Sequence, residues 1–466
     1  MACAATTLRG WPCAAWGQPL LSTFPFTMHL LEQIQALRFP APLPARLLEV
    51  RQVYDYPRVA DVAGAARAAL EASGLLASIK PGDSVAVGVG SRGIANLPAI
   101  VRAVIDRLWA HGARPFIVAA MGSHGGATDE GQRALLAELG ITEASMGCPL
   151  RITMEVREIG RLLNGPALYQ DLDSAAADHT LLISRIKPHT DFRGSLESGP
   201  TKMAVIGLGK RVGAEAMHAW GTAGFQQFLA PAARLYQTNT NLRGAIAILE
   251  NGYDETAEIV GLTADQIGTE VEAALLRKAR ALMMRLPFRQ IDVLVIRELG
   301  KDISGTGMDT NVLGRLRVNR QPEPEDASDI GALVLLDLTE ATHGNASGIG
   351  LADVITARAL RKADFAVTYT NAITATTFGS KRSFIPIVMA DDRRALEVAV
   401  RCCGVHPGQA PTFVFARNTL AVGQLWMSEN LRPQIEAHPH LRIAGEAPLT
   451  FDEDGRMTSP WCLGPG

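Results

Sequence analysis

Residues 84–121 read SVAVGVGSRGIANLPAIVRAVIDRLWAHGARPFIVAAM. The stretch 84–91 is a run of small and β-branched residues, as expected of a strand buried on both faces. Leu97, Ile100, Val101, Val104, Ile105 and Leu108 then recur at helical spacing, and 115–121 is a second buried strand. Strand, helix and strand in that order form a βαβ unit, and such units build parallel sheets.

The same alternation continues outward. Strands are expected at 48–54, 180–186 and 244–250, and helices at 59–73 and 128–139. Asp129 and Glu130 stand in the first turn of the latter, where acids suit the helix dipole. The IGLGK at 206–210 reads as a strand leaving into a phosphate-cradling turn, with a helix from about Gly213, although it lacks the spacing of a true P-loop. A long helix over 264–286 precedes a second series, with strands at 292–299, 332–338, 365–369, 385–390 and 412–415 and helices at 351–362 and 393–403. This predicts an α/β protein of two α/β domains with mainly parallel sheets and the active site in the cleft between them. Residues 1–27 are an atypical extension with one basic residue, Arg9, and no compact apolar core, so they do not read as a signal peptide. The first domain is expected over 28–286 and the second over 287–415. The polar tail 416–466 is expected to return to the first domain.

Composition excludes several classes. Lys and Arg number 45 against 47 Asp and Glu, a net charge of −2, so no global field draws the chain to nucleic acid or a membrane surface. Aromatics are 6%, too few for a base-stacking platform. No apolar run is long enough to span a bilayer. The six cysteines show no CxxC and no zinc spacing, which fits a reducing cytoplasm. A homo-oligomer is compatible with all of this.

Three candidates follow apolar runs, at the strand ends where open α/β sheets gather their chemistry: Arg92, His124 and His189. Arg92, in GSRGIANLP, can grip a phosphate or carboxylate; the plain alternative is a surface arginine capping a loop. His124, in GSHGG, stands between glycines that allow a ligand close to the backbone. The densest segment is 184–221, SRIKPHTDFRGSLESGPTKMAVIGLGKRVGAEAMHAWG. Within it Lys202 leads into an apolar stretch, and desolvation there would lower its pKa and free its amine; the alternative is snorkelling at a strand edge. His218, beside Trp220, would by itself be read as a packed helix histidine. In the second domain, 300–315 (GKDISGTGMDTNVLGR) carries Lys301, Asp309 and Asn311 as candidate substrate contacts. The runs 340–353, with His343, and 370–378 add polar turns.

These segments resemble the lactate racemase family, enzymes that use a nickel-pincer nucleotide. GSH at 122–124 is similar to the family's turn bearing one catalytic histidine. KPH at 187–189 followed by Lys202 resembles the second catalytic histidine and the lysine joined covalently to the cofactor. His218, sixteen residues after Lys202, matches the nickel-ligating histidine, and Arg92 the arginine that holds the cofactor phosphate. The resemblance implies nickel and pyridinium-3,5-bisthiocarboxylate mononucleotide as cofactors, cofactor-synthesis proteins as partners, and His124 and His189 as opposed bases. The implied reaction is racemisation or epimerisation of a 2-hydroxy acid by reversible hydride transfer. After Lys301 and Asp302 the family's glutamine and second lysine give way to SGTGMDTNV, so a larger or more polar acid than lactate is expected. Two readings compete: a zinc hydrolase with His124, His189 and His218 as three ligands, and a non-catalytic cofactor-binding protein. A nicotinamide dehydrogenase lacks its GxGxxG fingerprint.

Overall fold

The computed structural model describes residues 25–459 except Asp326. Two α/β units are each built on their own sheet. The first sheet orders Leu150–Arg151, Arg114–Ala119, Ser84–Val89, His179–Arg185, Leu242–Glu250 and Thr256–Thr263, all parallel but the last. Its central strands are buried throughout, which is why they read as unbroken apolar runs. Helices Val62–Ala72 and Leu97–Ala110 cover one face and Gly221–Asn239 and Glu270–Leu282 the other. From Ser84–Val89 the chain moves to Arg114–Ala119 on one side and later returns to His179–Arg185 on the other. The loops after Ser84–Val89 and His179–Arg185 therefore diverge around a crevice, the place where open sheets bind ligands.

The second sheet orders Ile387–Met389, Val354–Thr356, Asp329–Leu338, Gln290–Leu299, Phe413–Ala416, Gln424–Ser428, Arg46–Gln52 and Leu441–Pro448. Its first five strands are parallel and the rest antiparallel. Its own reversal lies at Gln290–Leu299, next to the loop that carries Lys301.

Several expectations are corrected. The tail does not return to the first unit: Gln424–Ser428 and Leu441–Pro448 flank Arg46–Gln52 in the second sheet. That strand therefore leaves the expected 28–286 domain, and Leu31 and Ile34 of helix Pro25–Gln35 share its core with Leu48 and Leu294. Strand pairing is non-local, and an apolar pattern does not name its partner sheet. The expected strand at 365–369 is the start of helix Phe365–Thr374, whose N-cap Asp364 accepts from the Ala366 and Val367 amides. The expected helix over 351–362 is split into strand Val354–Thr356 and helix Ala357–Lys362. The long helix over 264–286 is shorter, Glu270–Leu282. IGLGK forms no strand. Pro200–Lys202 runs through a π-helical stretch, Met203–Leu208, into helix Lys210–His218. The expected extension 1–27 lies outside the described residues up to position 24.

Candidate active site

The strand ends of the two sheets face each other. A Cβ built on Gly305 of the second unit would lie 3.3 Å from an Arg92 guanidinium nitrogen. Thr310 Oγ1 donates to the Thr190 carbonyl (2.6 Å) and Asn311 Nδ2 to that of His189 (3.4 Å). Arg382, 2% exposed, pairs with Asp191 and donates to the Thr190 carbonyl.

Six expected residues converge on this junction. Arg92 follows strand Ser84–Val89, and His124 follows Arg114–Ala119 on a turn whose Gly122 has φ +61°. His189 follows His179–Arg185. Lys202 and His218 lie on the helical stretch that comes next, and Lys301 reaches in from the second unit. Each lies within electrostatic reach of others in the group.

Backbone contacts choose the histidine tautomers. His218 Nδ1 lies 2.6 Å from the Ala214 carbonyl, which can only accept. Nδ1 therefore carries the proton and Nε2 keeps a lone pair, the form a metal ligand needs. His189 is the reverse. Its Nδ1 accepts from the Asp191 amide (3.0 Å), so the neutral ring carries its proton on Nε2, which faces the Lys202 amine. The Asp191 carboxylate stands 3.7 Å from the same Nδ1. His124 Nδ1 bonds to the Ser91 hydroxyl.

The cleft is cationic and unevenly solvated: Arg92 and His124 are exposed, whereas Lys187, His189, Lys202, His218 and Lys301 are half-buried. Burial draws the Lys202 amine down to about 8, with Arg92 and Lys187 opposing further charge and Asp191 favouring it. Burial also holds Lys187 and Lys301 at about 8. His124 has an edge open to the cleft. The crowding walls, then Arg92 and Lys202, nonetheless push it down to about 4. His189 is held well below its usual range by burial, then by Lys202.

Other expectations come apart. Asp309 accepts from the Asn311 backbone (2.8 Å) and side chain (2.9 Å). Asn311 then reaches the His189 carbonyl, and Ser304 and Thr306 bond each other at 3.1 Å. Asp309 and Asn311 thus join the second unit to the His189 loop. His343 is exposed on a left-handed turn. The glycines of IGLGK serve close packing: a Cβ on Gly207 would lie 2.6 Å from the Ala120 carbonyl. Among the described residues no group of three or more His, Cys, Asp or Glu is placed to hold a metal, so the three-histidine zinc centre is not formed.

The sequence reading did not single out Ser91, Arg382 or Gln132. Arg382 acts 191 residues from Asp191, and nothing local marks it. Glu197, within the segment 184–221, is buried, pairs with Arg280 and accepts from the His189 amide (2.6 Å). A cavity of about 850 Å³ lies against Asp191, Phe192 and Asn311, and His124, Lys202 and His218 do not line it. The cluster at the strand ends carries the perturbed ionisation instead.

The chain matches no family model and no curated protein. Among solved structures it aligns with the lactate racemase apoprotein from Thermoanaerobacterium thermosaccharolyticum, at 11% identity and a TM-score of 0.39, over 63% of this chain and 73% of that one. No helix among the described residues is long and apolar enough to cross a membrane.

Proposed function

We propose that this chain is a racemase or epimerase of a 2-hydroxy acid that works with a nickel-pincer nucleotide. One observation carries the reading: a desolvated lysine, a histidine with its Nε2 lone pair free, and two further histidines on separate loops meet at a single strand-end crevice. The residues fit the group. A lone protein imidazole, His218, suits a metal whose other donors come with the cofactor. Lys202, whose amine gives up its proton more readily than an ordinary lysine's, suits covalent attachment. Arg92 suits its phosphate.

When bound, the group supplies a hydride acceptor. The chain's own residues handle the protons. His124, neutral at pH 7, takes the hydroxyl proton of one enantiomer at Nε2, and His189 that of the other. His189 accepts at Nε2 only in the tautomer with Nδ1–H, and the Asp191 carboxylate is the acceptor at hand for that proton. Lys301 holds the substrate carboxylate. Pairing of Arg92 and loss of the charge on Lys202 would remove the two charges that lower His124, with burial remaining the larger cause.

The test is intact-mass and nickel analysis after co-expression with cofactor-synthesis proteins. A mass addition on Lys202 with one nickel per chain, both lost in Lys202→Ala, is expected. An unmodified Lys202, or nickel that Lys202→Ala and His218→Ala both retain, would overturn the reading.

A further inference from the structure

Lys210 is fully buried, yet none of the chemistry above uses it. Its backbone is left-handed, φ +54°, a conformation unfavourable for a side chain with a Cβ. Its ammonium ignores the obvious partner. Asp171, also buried, is the first charge that stabilises it, but among the described residues no ion pair joins the two. Instead, Lys210 Nζ donates to the Ala119 carbonyl at the end of strand Arg114–Ala119 and to Gln132 Oε1 (3.0 Å). Gln132, also fully buried, passes the link on. Its Nε2 donates to the Gly122 carbonyl (2.8 Å) and the His124 carbonyl (3.3 Å). The Gly122 amide in turn donates to the Gly207 carbonyl (3.1 Å).

We infer that Lys210 and Gln132 are positioning residues that fix the His124 turn against the helical stretch carrying Lys202 and His218. The inference deepens the proposed function, since it concerns the aim of one of its two bases. A lysine fits because its ammonium donates to two acceptors at once, a strand-end carbonyl and an amide oxygen. The glutamine fits because it accepts from the lysine and donates to the turn in a single side chain. His189 touches the same helical stretch through Lys202, but its backbone is held by Glu197 of its own loop and Asn311 of the second unit, not by Lys210 or Gln132.

The test uses Lys210→Met and Gln132→Leu, with Gln132→Glu as the isosteric control that still accepts from Lys210 but cannot donate to the turn. In the apoprotein, the ¹⁵N shifts of the His124 ring report its Nδ1 bond to Ser91. All three variants are expected to move them towards free imidazole while the His189 ring signals stay in place. In the cofactor-loaded protein, single-turnover oxidation of each enantiomer is followed, with His124→Ala identifying the enantiomer that depends on His124. That enantiomer is expected to slow about tenfold to a hundredfold, the cost of a misplacement near 1 Å, and the other to hold its rate. If Lys210→Met fails to fold, Gln132→Glu alone decides. Unmoved His124 shifts in a folded variant, or equal slowing of both enantiomers, would overturn the staple. Wild-type protein that oxidises neither enantiomer would overturn the racemase reading instead, and the apoprotein shifts would then decide the staple by themselves.

Discussion

Asp191 is the residue on which the two histidines differ most. His124 has a hydroxyl on its Nδ1, whereas His189 has a backbone amide on its Nδ1 and a carboxylate 3.7 Å away. Asp191→Asn removes the carboxylate that stands 3.7 Å from that Nδ1. It is expected to slow oxidation of the His189-dependent enantiomer by about 10²-fold in single-turnover measurements. The His124-dependent enantiomer should lose far less; equal loss in both would remove Asp191 from that role. Lys301 allows a second prediction. Its folded pKa of about 8 lies below the unfolded value, so between roughly pH 8 and 10 the unfolded chain binds more protons and stability rises with pH. Lys187 and Lys202 contribute with the same sign. Apoprotein stability from urea unfolding should therefore rise across that window, and Lys301→Met should flatten the rise. Identical slopes in wild type and variant would show that Lys301 is not desolvated.

At the scale of elements, Gly207 decides how closely the lysine-bearing helical stretch approaches a strand end. Gly207→Ala places a methyl 2.6 Å from the Ala120 carbonyl, so one of the two must move. Overpacking of this kind costs about 1–3 kcal/mol. A loss in that range by urea unfolding, with slower reaction of the His124-dependent enantiomer, is expected; an alanine variant as stable as wild type would show that the contact yields freely. The strands 84–91, 115–121 and 180–186 were legible because both their faces are buried and nearly every residue is apolar. Phe365–Thr374 was not. Its residues are mostly apolar or β-branched, and the local helix signal is the Asp364 cap. The π-helical stretch Met203–Leu208 was equally hidden, since its glycines mimic a phosphate loop but serve packing.

Across the whole molecule, the two units meet over the His189 loop. Arg382 holds that loop from the second unit through Asp191 and the Thr190 carbonyl. Removing one partner of a buried pair leaves the other exposed to a poor solvent, at a cost of about 2–5 kcal/mol. Arg382→Met should lower stability by that amount in urea unfolding and increase hydrogen exchange over residues 187–193. A loss below about 0.5 kcal/mol with unchanged exchange would show that the units dock without it.

Sequence by itself determined the α/β class and the strand ends on which Arg92, His124 and His189 stand, because burial period and strand-end chemistry are local properties. Only the tertiary structure decided the rest. It gave the second sheet both Arg46–Gln52 and the C-terminal strands, chose opposite tautomers for His189 and His218, and used Asp309 and Asn311 to join the units. Each of these depends on a partner supplied by the packing, a neighbouring strand, a carbonyl or a facing loop, and no residue's own chemistry specifies which partner the fold will bring to it.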